Sequence, residues 1–98
     1  MAFSRFQPDL TFEPNLFIRW VVEEREILVL DEPGQRSMRL TYPAAGIWEL
    51  LMQGRRTADV AEMTAGVADI PLDEARQAVL RQAAEWQAAR WIRPVCSD

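Results

Sequence analysis

The hydrophobic period changes once along this chain, at Pro43, and no other feature limits its fold as strongly. Ahead of that residue, apolar positions come in short runs and alternations of strand type. Leu16 to Val22 is rich in β-branched and aromatic residues, and Ile27 to Leu30 is a second apolar run. Ser37 to Thr41 alternates, with Met38 and Leu40 on one side and Ser37, Arg39 and Thr41 on the other. The polar stretch Glu23 to Glu26 and the Pro33-Gly34 break supply the turns. Three strands joined this closely predict an antiparallel meander.

After Pro43 the period is helical. Proline suits the first turn of a helix, where its missing N–H has no partner to lose. Ala44, Ile47, Trp48 and Leu51 form one apolar stripe, and Gly54 is the stop. Thr57 reads as the cap of a second helix, with Asp59 near its positive end. Val60, Ala61 and Met63 give that helix its apolar side, and Gly66 its end. Asp73 and Glu74 open a third helix, expected to run to Trp91 and stop ahead of Pro94. Leu72, Ala75, Val79, Ala83, Trp86 and Arg90 mark one of its stripes; Arg76, Leu80, Ala84, Gln87 and Trp91 mark the next. The expected fold class is α+β: a winged-helix-like, three-stranded antiparallel meander followed by three helices, packed as two layers. Residues 1–15, with Phe3, Phe6, Phe12, Pro8 and Pro14, read as an extended N-terminal arm. Residues 16–93 read as the folded domain and 94–98 as a tail.

Composition excludes most chemistry. The chain has no His, so imidazole acid–base work and His-containing metal sites are out. Its basic residues are all Arg, which removes Schiff-base catalysis and a phosphate-loop Lys. The single Cys96 has no internal disulfide partner and reads as a free tail thiol. Acidic pairs such as Glu23-Glu24 and Asp31-Glu32 fall in expected turns, where they are solvated. The expectation is a non-catalytic protein with no cofactor and no metal. Net charge is −4, which disfavours a nucleic-acid partner unless the bases cluster. Arg55-Arg56 is a small basic spot that reads as a polar turn. No apolar run is long enough to span a bilayer, and Met1 to Leu10 lacks a signal core, so no membrane partner and a cytoplasmic setting are expected.

Two features of the strands carry function. The first two strands are apolar on both alternating faces, so either the aromatic arm covers the second face or another copy of the chain does, giving a homodimer. The third strand is an edge, and Met38 to Thr41 holds no Pro or Lys to block an incoming strand. Strand addition is a route to peptide recognition. Peptide binding, winged-helix DNA binding and a dimerisation module stay open at this level.

Leu40-Thr41-Tyr42-Pro43-Ala44-Ala45-Gly46-Ile47-Trp48-Glu49-Leu50-Leu51 resembles a stretch of the PqqD-like family, as do Gly54-Arg55-Arg56-Thr57-Ala58-Asp59-Val60-Ala61 and Asp73-Glu74-Ala75-Arg76-Gln77-Ala78-Val79-Leu80. The resemblance covers Leu16 to Ile92. Thr41 stands where that family has Asn, and Pro43 where it has Ser or Thr. The resemblance implies a recognition element for ribosomally made, later modified peptides. The implied partners are the leader region of a precursor peptide and a modifying enzyme such as a radical S-adenosylmethionine enzyme, a cyclase or a protease. In that family the leader adds to the third strand and packs on the third helix. Carried onto this sequence, the backbone of Ser37, Met38, Arg39, Leu40 and Thr41 pairs with the leader. Val79, Leu80 and Ala83 receive its apolar residues, and Arg76, with Arg39, meets a carboxylate.

Overall fold

The computed structural model describes residues 6–95. Phe3 and the Cys96 tail lie outside them. The element order is β1 (Phe12–Pro14), β2 (Ile18–Val22), β3 (Glu26–Asp31), β4 (Arg36–Thr41), α1 (Ala44–Met52), α2 (Thr57–Ala68), α3 (Leu72–Ala88) and β5 (Ile92–Pro94). β2, β3 and β4 form the expected meander, in that spatial order and antiparallel. The first of them starts at Ile18 rather than Leu16, because Phe17 turns the chain with φ +68°.

Register sets the two faces of this sheet. Ile18 pairs with Asp31 and Asp31 with Arg36; Trp20 pairs with Val29 and Val29 with Met38; Val22 pairs with Ile27 and Ile27 with Leu40. Directly paired residues share a face, so these three rows point inward at the helices. Ile18, Ile27, Val29 and Leu40 are buried there. The β3–β4 turn depends on a close approach. Gln35 N–H donates to Glu32 O at 3.1 Å and Gly34 N–H to Asp31 Oδ1 at 3.0 Å. A Cβ on Gly34 would sit 2.5 Å from Asp31 Oδ2, so a side chain there would displace the carboxylate that accepts from Gly34 N–H.

Trp48 centres the core. It is fully buried, and Trp20, Trp86 and Trp91 meet it edge to face at centroid distances of 5.6, 5.1 and 6.3 Å. Trp91, beyond the end of α3, is buried as well. α3 stops at Ala88 rather than Trp91 because Arg90 takes φ +66° and swings Trp91 inward. The indole N–H groups of Trp48, Trp86 and Trp91 have no hydrogen-bond partner among the described residues. Perpendicular ring packing gives such a group an aromatic face to point at.

The arm packs on the chain's own core. It does not cover the outer face of the sheet. β1 pairs antiparallel with β5, forming a second, two-stranded sheet from the two ends of the chain. Phe12 enters the main core, and Phe6 and Leu10 pack against it. The outer face, with Val21, Leu28 and Leu30, stays uncovered among the described residues. The arm's destination is set by hydrogen bonding. Thr57 is the first residue of α2, not its cap; Arg56 is the N-cap and supplies no side-chain bond. Helix-start N–H groups need acceptors. Leu10 O accepts from Thr57 N–H and Pro8 O from Ala58 N–H, both at 2.9 Å. The Thr57 hydroxyl donates in turn to Gln7 O. The arm is thus the cap of α2. Thr57→Val keeps the shape and removes that donor, and should lower stability by about 1 kcal/mol. Thermal unfolding would show this as a Tm drop of roughly 4–8 °C; an unchanged Tm would count against the capping role.

Candidate functional site

β4 is a free edge. Its inner neighbour is β3, and no described strand pairs along its other side. All its residues but Leu40 are exposed. Ser37, Arg39 and Thr41 face outward as the alternation predicted, while Met38 faces inward yet remains 44% exposed. An exposed inward-facing methionine at a sheet edge marks floor that an added strand would cover.

The expected side-chain contributors fare differently. Arg39 is occupied within its own sheet, with Glu26 and, at 3.8 Å, Glu23. Arg76 pairs with Asp73 at 3.4 Å and lies over the Phe6 ring at 5.9 Å, on the arm side of α3. Val79 and Ala83 are core residues. Together with Leu80 they border a small cavity of about 180 Å³ whose other wall is the arm, through Phe6, Leu10 and Phe12. No β4 residue borders that cavity. The face of α3 carrying Arg76 and Leu80 therefore meets the chain's own N-terminal arm. The sequence could not reveal this, because the arm's path is fixed by α2's unpaired N–H groups.

β4 and the segment that follows α3 border a common groove at one end of the sheet. A cavity of about 510 Å³ lies beneath the inward row Ile18, Asp31 and Arg36, closed below by Ala89, Arg90 and Arg93. The C-cap of α3, Ala89, thus lies on the same groove as Arg36 at the start of β4. On a helix, Glu85, Gln82 and Ala78 lie one, two and three turns back on the face of Ala89. Gln82, Ala78 and Ala89 are half-buried and Glu85 is exposed.

Electrostatics around the site is mostly paired surface charge. Arg36 meets Asp31 at 3.5 Å and Arg93 meets Glu13 at 2.5 Å. Arg56, at the N-cap of α2, is held above its ordinary pKa by a hydrogen bond and the charge of Asp59. No group of three or more His, Cys, Asp or Glu among the described residues is arranged to hold a metal ion. No described helix is long and apolar enough to cross a membrane.

No curated protein sequence matches the chain. Among solved structures, the one titled "TbiB1 in Complex with the TbiA(beta) Leader Peptide" superposes with a TM-score of 0.78 at 10% identity, covering 87% of this chain and 99% of that one. At that identity the likeness speaks for the fold, and it is the same small sheet with three helices. Residues 26–92, from the first residue of β3 to the first of β5, match the family model described as coenzyme PQQ synthesis protein D (PqqD). The match spans both β4 and α3, and the chain belongs to the PqqD family.

Proposed function

We propose that this protein is a peptide-binding recognition element that captures the leader of a ribosomally made precursor and presents it to a modifying enzyme. The observation that carries it is the free β4 edge, Arg36–Thr41, with Met38 inward-facing and exposed beside it. The leader adds to the sheet as a strand next to β4. Each backbone bond contributes about 0.5–1.5 kcal/mol net, whatever the leader's sequence. Micromolar affinity needs about −8 kcal/mol, so a few such bonds and one or two apolar anchors suffice after ordering costs. Specificity comes from inward-facing leader side chains, over Met38 and against the α3 face of Ala78, Gln82, Glu85 and Ala89. We favour that face over the neighbouring one of Arg76 and Leu80, which borders the arm. The role is presentation, not catalysis, in the cytoplasm where precursor peptides are made.

The family membership and the structural likeness to a leader-peptide complex both support this reading. The test is a fluorescence-anisotropy titration of the purified chain against a labelled leader, taken from a small open reading frame beside its gene. Saturable micromolar or tighter binding is expected. Failure of the folded protein to bind any such leader up to high micromolar would remove the reading.

A further inference from the structure

Helices α1 and α3 end in the same way. The N–H two residues past the C-cap returns to the carbonyl five residues before it, as Arg55 N–H to Leu50 O at 3.4 Å and Trp91 N–H to Trp86 O at 2.9 Å. This motif needs a left-handed residue between, and glycine is the default. α1 uses Gly54, at φ +81°. α3 uses Arg90, at φ +66°, where a side chain is strained. Asn15 holds that strained residue in place: its Nδ2 donates to Arg90 O at 2.5 Å and its own N–H to Trp91 O at 2.9 Å. A residue kept against its backbone preference is a reason to ask what its side chain does.

Arg90 lines the cavity between the start of β4 and the end of α3, with Arg36 and Arg93. Those two guanidiniums are matched, by Asp31 and Glu13. Arg90 has no carboxylate partner among the described residues. The cavity thus carries one unmatched positive charge in a chain of net charge −4. It also lies where an added strand would point a side chain. Arg36 faces inward over it, and a residue paired with Arg36 shares that face.

We propose that Arg90 is a specificity residue for the bound peptide, taking the carboxylate of an Asp or Glu that pairs alongside Arg36. The inference rests on strand addition at β4. Inward positions recur every second residue, so the acid stands two residues from the side chain that covers Met38. The ligand class is a peptide with an acidic residue two positions from an apolar one.

Display of random short peptides against the full chain supplies probes without a known precursor. Enriched peptides should share an acidic residue two positions from an apolar one. A fluorescein-labelled selected peptide should bind Arg90→Gln about fivefold more weakly at low salt, with the difference shrinking as salt screens the pair. Arg90→Glu should regain affinity for the same peptide with its acid changed to Lys. Arg90→Gly separates structure from recognition: relief of the backbone strain should raise Tm by about 4 °C while binding still weakens. Peptides enriched without an acidic position, or bound equally by parent and Arg90→Gln, would overturn this assignment and leave strand addition standing. No enrichment at all would overturn strand addition, and this assignment with it.

Discussion

Trp48→Ala is expected to leave the chain without a cooperative fold. Trp48 is fully buried and is the one indole that touches the other three. Truncating a buried Trp costs about 3–5 kcal/mol through lost transfer energy and the cavity left behind. Each lost edge-to-face contact adds about 0.5–1.5 kcal/mol. A domain this small has a total stability of roughly 5–15 kcal/mol. The deficit therefore consumes most or all of it. Urea unfolding followed by circular dichroism should show a lost or greatly shifted transition. Trp20→Ala, at a half-buried position on the sheet, should fold and lose less. Trp48→Ala unfolding within 1 kcal/mol of the parent would mean that the core is organised around something other than this cluster.

The second large effect concerns binding. Successive residues in an edge strand send their N–H alternately to the neighbouring strand and to solvent. Met38 and Arg39 are adjacent in β4, so one donates to β3 and the other faces the open side. Proline is tolerated where the N–H points to solvent and breaks the ladder where it does not. Of Met38→Pro and Arg39→Pro, one should therefore unfold or badly destabilise the sheet. The other should fold and lose peptide affinity at least tenfold, because it removes a donor and places a ring where the added strand must lie. Circular dichroism identifies the folded member of the pair, and anisotropy with the leader measures its affinity. A folded proline variant that bound like the parent would rule out strand addition at β4.

Most of the meander and the three helices could be read from side-chain periodicity, because each is a local pattern. Ile27, Val29 and Leu40 alternate as buried strand residues must, and Ala75, Val79, Ala83 and Trp86 repeat as a buried helix stripe must. The second sheet could not be read this way. β1 and β5 have three residues each, include Pro14 and Pro94, and pair across nearly the whole chain. The same distance hid the partner of Thr57, whose hydroxyl looked like a cap and instead serves the arm. The β4 edge was legible because an unblocked alternating strand is visible in sequence. The helix face opposite it was not. Choosing between the neighbouring stripes of α3 depends on where residues 6–12 lie, and that follows from α2's need for acceptors. Arg90 fits the helical stripe by spacing and yet lies past the helix end, since a left-handed backbone at a non-glycine residue has no sequence mark.

The tryptophan arrangement gives this protein an optical property of its own. Three indoles packed nearly perpendicular to a fourth, Trp48, behave as coupled chromophores, so their ultraviolet bands and emission belong to the group. Trp20 is the half-buried member and sits in the same inward row as Val29 and the exposed Met38. Opening of the core would separate these rings and change the emission of the whole group. Intrinsic emission should then report the integrity of the core directly, in unlabelled protein.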